Sequence, residues 1–153
     1  MPRPSTLLAF AAVVIALTGS AIAANLITAT APGTLAGGKT EVGVWGIDGH
    51  ASGPKQDIGA SAVSFAFPLA ADPKAHFVTK APTAACPGSP AHPSAKPGNA
   101  CIYLTGKKNV KVFSIFKETN NATGVSRLGF SVVTTSRGAG AVYAYGTWAV
   151  TAP

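Results

Sequence analysis

Segments in which apolar and polar residues alternate are the feature of this sequence that most restricts its fold. Residues 141–150 show the pattern most clearly, with Tyr143 and Tyr145 on the face opposite the apolar residues. The apolar face consists of Val142, Ala144, Gly146, Trp148 and Val150. A period of two is that of a β-strand with one buried face. No segment after residue 23 has the helical period, so the sequence predicts an all-β protein.

Turn-forming residues separate the alternating segments and divide the chain into about seven or eight short strands. The predicted strands are residues 39–47, 62–69, 76–80, 101–105, 110–117, 128–134 and 141–150. In the second of these we expect the core to receive Val63, Phe65, Phe67 and Leu69. Because each sheet must cover its apolar face, the expected architecture is a single antiparallel β-sandwich or jelly roll. It would occupy residues 39–153, with no internal repeat and no second domain.

The composition and charge agree with this fold and argue against one class of partner. Charged residues make up only 11% of the chain, which favours strands and turns over helices. The formal net charge of +7 does not indicate a nucleic-acid partner, because most lysines are scattered singly among turn residues. Only Lys107, Lys108, Lys111 and Lys117 approach a cluster. Such a surface suits solubility, or a weak attraction to anionic cell-wall polymers or lipid head groups.

The N-terminal residues have the organisation of a secretory signal peptide. Arg3 precedes an apolar run over residues 7–17, and the small residues Ala21 and Ala23 follow it. We therefore predict a helical signal peptide over residues 1–23, with cleavage after Ala23. An uncleaved membrane anchor is the alternative, although the run is shorter than the roughly 20 residues of a spanning helix. Residues 24–38 would form a flexible leader, and the chain would be secreted or held at the cell envelope.

A proline-rich loop over residues 81–100 lies next to both cysteines of the chain. Cys86 lies within the loop and Cys101 directly follows it. Two cysteines in an exported chain are expected to pair, and a closed loop of about 16 residues would add roughly 3 kcal/mol of stability. Zinc ligation by the two cysteines and His92, with His50 or His76 as a fourth ligand, is the alternative, but the spacing does not suit a structural zinc site. We predict a Cys86–Cys101 disulfide, no metal and no cofactor.

The sequence carries no motif of a known catalytic chemistry. It has no G-x-S-x-G nucleophile elbow, phosphate-binding loop or dinucleotide fingerprint. Two other functions stay open beside a non-enzymatic one. A small secreted hydrolase would need a pocket that joins His50 or His76 to an acid and a serine. A disulfide-stapled protease inhibitor would need an exposed, extended loop over residues 89–97.

Three aromatic residues are candidates for ligand binding. Trp45, Tyr143 and Tyr145 lie in predicted strands and could form an aromatic platform for sugars, although such residues also pack in cores and on sheet faces.

The function that the sequence favours is that of a secreted or cell-surface, non-enzymatic β-domain with a structural or binding role. A cell-wall polymer or a surface protein would be its partner, and it would contact a membrane only through an uncleaved signal segment.

Short segments spread over nearly the whole mature chain carry a family resemblance. They are residues 38–40, 65–70, 75–78, 86–88, 97–103 and 146–153. Together they resemble a family of small exported actinobacterial β-domains of unknown function. In some relatives a similar domain follows a collagen-like Gly-x-y stalk, which is similar to the arrangement of trimeric heads on such stalks. This chain has no Gly-x-y repeat, so the resemblance leaves a trimer open and transfers no functional residue.

Overall fold

The computed structural model describes residues 33–153, and the predicted signal peptide over residues 1–23 lies outside the described residues. The described part is all-β, as the alternation predicts. Its strands are β1 (Thr40–Ala51), β2 (Asp57–Ser64), β3 (Lys74–Val78), β4 (Asn99–Lys108), β5 (Val110–Phe116), β6 (Gly129–Ser136) and β7 (Gly140–Thr151). Each predicted strand overlaps one of these. No helix in this part of the chain is long and apolar enough to cross a membrane.

The strands form a four-stranded sheet, in the order β1-β7-β4-β3, and a three-stranded sheet, in the order β2-β6-β5. β7 lies between β1 and β4, and its pairing with β1 runs without a break from Thr40↔Thr151 to Ala51↔Gly140. Trp148 of β7 is only 6% exposed. The predicted strand over residues 141–150 is thus confirmed, and it is a central, core-forming strand.

The apolar faces of the two sheets share one core, which makes the arrangement sandwich-like. The ring of Phe65, just beyond β2, lies 5.3 Å from the Trp148 indole of β7. Phe130 of β6 lies 6.2 Å from the same indole. Ile102 and Val132, one from each sheet, are completely buried. Burial of these side chains from both sheets supplies the main driving force for folding.

The strand predicted over residues 62–69 ends earlier, at Ser64. Phe67, which we expected in the core, is 45% exposed, so that assignment is wrong. The cause is the Glu41 carboxylate, which accepts hydrogen bonds from the backbone N–H groups of Ala66 (3.0 Å) and Phe67 (2.7 Å). These bonds hold the chain in a bend. The strand therefore ends at Ser64, although the alternation of apolar and polar residues continues in the sequence.

One strand pair departs from the predicted antiparallel sandwich. β3 and β4 pair in parallel, from Lys74↔Asn99 to Val78↔Tyr103. A parallel pair needs a long connection that returns the chain to the same end of the sheet. Residues 79–98 supply it, and they include most of the proline-rich loop. The loop is therefore the crossover between two neighbouring strands.

Residues 33–38, the described part of the predicted leader, are bonded to the rest of the domain. The Leu35 N–H donates to the Pro68 carbonyl over 2.8 Å, and the Gly38 N–H donates to the Ala152 carbonyl over 3.1 Å. The Leu35 side chain also packs against the core. The folded domain thus includes residues from Leu35 onward, four positions before the predicted start.

Candidate binding face

The outer face of the four-stranded sheet carries the two tyrosines singled out by the sequence. Successive residues of a strand point to opposite faces, and cross-strand partners share a face. Tyr143 and Tyr145 of β7 are 41% and 50% exposed on the outer face. Trp45 of β1 lies on the inner face and is 4% exposed. The structure therefore brings the two tyrosines together and separates Trp45 from them.

Trp45 belongs to the core, where its polar atom has a partner. Its indole N–H donates to the backbone carbonyl of Tyr103 on β4 over 3.1 Å. On the way the indole crosses Gly146 of β7, where an added Cβ would lie 2.9 Å from the indole nitrogen. The rings of Phe77 and Phe113 lie 5.8 and 6.2 Å from the Trp45 ring. Trp45 is thus a packing residue with a satisfied N–H.

The exposed Tyr145 is held in place by its neighbours across the sheet. Tyr145 lies between Gly46 of β1 and Gly106 of β4 in the strand register. An added Cβ at Gly106 would lie 2.8 Å from the Tyr145 hydroxyl oxygen and 2.9 Å from two ring carbons, so the ring lies across this glycine. The Tyr143 ring lies 6.3 Å away, at an interplanar angle of 31°. The Tyr145 ring is thus fixed against the sheet, and the Tyr143 ring lies beside it on the central strand.

Two exposed valines of β1 continue this apolar surface. Val42 is 58% exposed and Val44 is 76% exposed, and both lie on the same face of the sheet as the tyrosines. We call Val42, Val44, Tyr143 and Tyr145 the tyrosine face. It holds four of the six large hydrophobic side chains that are exposed in the described part of the chain. Exposed apolar surface concentrated in this way is typical of an interaction site.

Val42 and Val44 are not among the predicted site residues, and alternation is the sequence signal that bears on them. Alternation in β1 places Val42 and Val44 opposite Trp45 and Ile47. Once the tryptophan is known to be inside, the valines must be outside.

The disulfide loop covers the part of the outer face next to the tyrosine face. The predicted Cys86–Cys101 disulfide is present, with the two Cα atoms 5.7 Å apart, and both residues are fully buried. Three side chains of the sheet donate to carbonyls of the loop: Tyr103 to Ser94, Thr147 to Pro90 (2.9 Å) and Thr151 to Ala95 (2.8 Å). A second, smaller core forms beneath the loop. The tyrosine face is the part of the outer face that the loop leaves exposed.

Two neighbouring lysines of β4 point to opposite faces at the end of the sheet. Lys108 lies opposite Tyr143, which lies opposite Asp48 of β1 on its other side. Lys107 lies opposite the buried Ala144, and its Nζ is 5.5 Å from the centre of the Phe113 ring. Lys108 therefore borders the tyrosine face, whereas Lys107 does not.

A cavity of about 410 Å³ lies along β3 and the residues that follow it. Residues 75–81 and Thr83 line it, and they include His76 but no carboxylate and no serine. The Asn99 amide nitrogen donates to two carbonyls, so its Oδ1 accepts a hydrogen bond from His76 Nε2 over 2.9 Å. This cavity lacks the acid and the serine that a hydrolase would need.

The other histidine of the hydrolase hypothesis lies elsewhere. His50 is exposed at the end of β1, opposite Ala141 of β7. Among residues 33–153, no three His, Cys, Asp or Glu side chains are grouped so that they could hold a metal ion.

The loop segment of the inhibitor hypothesis is folded onto the sheet. Ser89 and His92 exchange two backbone hydrogen bonds of 3.1 Å, which close a tight turn. Ala95 is buried, and its carbonyl accepts the hydrogen bond from Thr151. Residues 89–97 therefore do not form the exposed, extended loop that a protease inhibitor would present.

Comparison with known proteins gives no function for this chain, so the function is inferred from the geometry of this surface. No protein-family model, no curated protein and no solved structure matches the chain.

Proposed function

We propose that this protein is a non-enzymatic binding domain, secreted or held at the cell surface, whose tyrosine face binds the glycan chains of a cell-envelope polymer. The observation that carries the proposal is the exposed Tyr143–Tyr145 pair on the central strand, with 6.3 Å between ring centres. The fixed position of the Tyr145 ring across Gly106 lowers the entropy cost of binding, since little freedom of that side chain is left to lose.

The chemistry of the face suits a sugar ring. A pyranose presents an apolar C–H face and a rim of hydroxyl groups, and tyrosine offers an apolar ring with a hydroxyl at its tip. The two rings can therefore pack against sugar faces while their hydroxyls bond to the sugar rims. Val42 and Val44 extend the apolar surface along β1, and Lys108 and Asp48 supply polar groups beside Tyr143.

The proposed location rests on two independent features of the chain. Residues 1–23 have the order of a signal peptide. The Cys86–Cys101 disulfide is consistent with an oxidising, extracellular compartment, where such bonds persist. A wall polymer is a ligand that such a protein would meet after export.

We also propose that the sandwich-like arrangement is a jelly roll. β1, β7 and β4 take the same successive positions in one sheet that β2, β6 and β5 take in the other. Four pairs of consecutive strands, β1–β2, β2–β3, β4–β5 and β6–β7, are thus divided between the two sheets. This division supports a two-sheet jelly roll with β3 added in parallel at one edge.

The relation to small exported actinobacterial β-domains is a further proposal. Its support is that the resembling segments coincide with structural units: residues 75–78 fall in β3, residues 97–103 lead into β4, and residues 146–153 cover the end of β7. The trimer that the resemblance leaves open would appear as a threefold mass in sedimentation equilibrium.

Retention of the purified protein on insoluble murein sacculi tests the proposed function. We expect retention, and we expect Tyr143→Ala and Tyr145→Ala each to weaken it by about ten-fold, the usual effect of removing a central aromatic anchor. Leu128→Ala is the matched control, because Leu128 is 43% exposed but lies just before β6 in the other sheet. Equal retention of the tyrosine variants and the parent protein would contradict the proposal.

A further inference from the structure

We infer that the polymer bound by the tyrosine face is anionic, and that a group of cations at the adjoining end of the sheet recognises its phosphate or carboxylate groups. This inference rests on the proposed function and names the chemical class of its ligand. We call Lys55, Lys108, Lys111 and Arg137 the cationic end; all four are exposed.

The turns that carry these cations are fastened to one another. Asn109, in the turn between β4 and β5, has a positive φ of 56° and bonds to the turn between β6 and β7. Its Nδ2 donates to the Gly138 carbonyl over 2.9 Å, and its Oδ1 accepts from the Gly138 N–H over 3.0 Å. The Arg137 N–H donates to the Asn109 carbonyl over 2.9 Å. Lys108, Lys111 and Arg137 are therefore presented from one rigid unit.

The third loop at this end is tied to the same unit. The Lys55 N–H donates to the Ser136 carbonyl over 2.9 Å, and the Ser136 hydroxyl donates to the Gly53 carbonyl over 2.7 Å. The Arg137 Nε donates to the Val110 carbonyl over 2.8 Å, which holds the guanidinium group at this end of the domain. Lys55 thus joins the other cations, although it lies in a loop far away in sequence.

Most carboxylates that could neutralise these cations are engaged elsewhere. Glu41 accepts two backbone N–H groups, Asp72 pairs with Lys117, and Glu118 accepts the Ser126 hydroxyl. Lys117–Asp72 is the one ion pair in the described part of the chain. Asp48 and Asp57 lie in strands at the same end of the domain, so the four residues of the cationic end outnumber these two carboxylates. Tyr143 itself lies between Asp48 and Lys108, and the excess of positive charge lies in the turns beyond Lys108.

An anionic glycan would use both surfaces at once. Sugar rings of the polymer would pack on Tyr143 and Tyr145, while charges along its backbone would reach Lys108 and the turns beyond it. A single strand register, Asp48–Tyr143–Lys108, places the aromatic ring and the first cation side by side. Electrostatic attraction of this kind raises affinity at low ionic strength and is screened by salt.

The adjacent lysines of β4 provide a matched test. Lys108→Gln and Lys107→Gln remove the same charge one residue apart, but only Lys108 borders the tyrosine face. Binding is measured by calorimetry with glucosylated glycerol-phosphate teichoic acid, polygalacturonate and neutral dextran. We expect Lys108→Gln to weaken binding to an anionic polymer about five-fold and Lys107→Gln to leave it unchanged. The melting temperature of each variant confirms that it is folded.

The choice of polymers distinguishes recognition of phosphodiesters from recognition of carboxylates. Two further probes distinguish glycans from other polyanions. Binding to teichoic acid alone assigns a phosphodiester, and binding to polygalacturonate alone assigns a carboxylate; both results support the inference. Equal loss in the two lysine variants overturns it. Equal affinity for double-stranded DNA or phosphatidylglycerol vesicles also overturns it, because charge alone would then explain binding.

The same experiment distinguishes failure of this inference from failure of the proposed function. Tight binding of a neutral polymer that depends on Tyr143 and Tyr145 but not on Lys108 overturns the anionic ligand and leaves the tyrosine face intact. Polyanion binding that depends on Lys108 but is unchanged in Tyr143→Ala and Tyr145→Ala supports charge recognition and contradicts the tyrosine face.

Discussion

Aromatic rings that lie across glycines of a neighbouring strand recur among the residues of the four-stranded sheet. The pairs are Trp45 with Gly146, Trp148 with Gly43, and Tyr145 with Gly106. An added Cβ at Gly43 would lie 2.6 Å from the Trp148 ring, whose Nε1 donates to the Val44 carbonyl over 3.2 Å. Covering a strand glycine with an aromatic ring compensates for the missing side chain. This packing fixes the rings of Trp45 and Trp148 inside the core. It fixes the Tyr145 ring outside the core, where the ring is available to a ligand.

Two buried threonines differ in whether their hydroxyl groups are satisfied, which gives a prediction for stability. Thr134 Oγ1 has no hydrogen-bond partner in the described part of the chain. Thr151 Oγ1 donates to the Ala95 carbonyl over 2.8 Å. We expect Thr134→Val to raise the free energy of unfolding by about 1 kcal/mol, because it removes an unpaired polar group, and Thr151→Val to lower it by about 1–2 kcal/mol. Urea denaturation at constant m-value measures both changes.

Each threonine variant is the control for the other, since both residues are less than 4% exposed and both changes replace a hydroxyl by a methyl group. A loss of stability in Thr134→Val as large as that in Thr151→Val would show that the Thr134 hydroxyl has a partner.

Among the structural elements, the connection from β3 to β4 affects the strand pairing, the disulfide and the exposed surface of the sheet. It permits the parallel pairing, it carries Cys86, and it covers part of the outer face of the sheet. Residues 79–98 have no regular structure, so the disulfide and the three side-chain hydrogen bonds from the sheet hold them. The extent of the tyrosine face depends on this cover staying in place.

Removal of the disulfide should therefore reduce stability. We expect Cys86→Ala/Cys101→Ala to lower the free energy of unfolding by about 2–4 kcal/mol, because the unfolded chain gains conformational freedom. Urea denaturation measures the loss, and the reduced parent protein is the control that keeps both sulfur atoms. Free thiols detected by mass spectrometry in the unreduced parent protein would instead contradict the bond itself.

For the whole molecule, one surface ion pair joins segments that lead to different sheets. Asp72 precedes β3 of the four-stranded sheet, and Lys117 follows β5 of the three-stranded sheet. Lys117 Nζ lies 2.7 Å from one carboxylate oxygen, and the Arg127 N–H donates to the other over 2.8 Å. The hydrogen bond from Lys117, helped by that from Arg127, holds the pKa of Asp72 below its ordinary value despite some desolvation.

This lowered pKa predicts a pH dependence of stability. The folded state favours the ionised carboxylate, so the stabilisation is present at about pH 5 and above and is lost as the pH falls below about 4, through the lowered pKa. Asp72 is 43% exposed, and such pairs contribute about 1 kcal/mol or less. The melting temperatures of the parent protein and Asp72→Asn should differ at neutral pH and converge near pH 2. Asp57→Asn, which removes a carboxylate at the other end of the domain, is the control. A difference that persists at pH 2 would assign the effect to something other than ionisation.

Export gives a prediction for the chain as a whole. Ala21 and Ala23 fit the small-residue pattern of signal peptidase sites, so N-terminal sequencing of exported protein should begin at Ala24. A sequence that begins within residues 1–6 would favour an uncleaved anchor. The folded domain, which includes residues from Leu35 onward, would be the same in both cases.

Much of the fold could be predicted from local pattern, and the binding face could be predicted only in part. Tyr143 and Tyr145 were identified because they alternate with an apolar series that includes Trp148. Trp45 was grouped with them, since an aromatic side chain in a strand carries no local mark of which face is buried. Phe67 was placed in the core because nothing near it in sequence shows that Glu41 would bend the chain there.

The sequence by itself determined the all-β class, the positions of seven strands and the pairing of two cysteines, because a period of two and the spacing of turns are properties of the local chain. The tertiary structure alone decided which face of β1 is inside, since both faces of that strand carry large apolar residues. It also decided the parallel pairing of β3 with β4 and the meeting of Lys55 with Arg137. These depend on contacts between residues far apart in the chain, which only the packing of one sheet on the other can select.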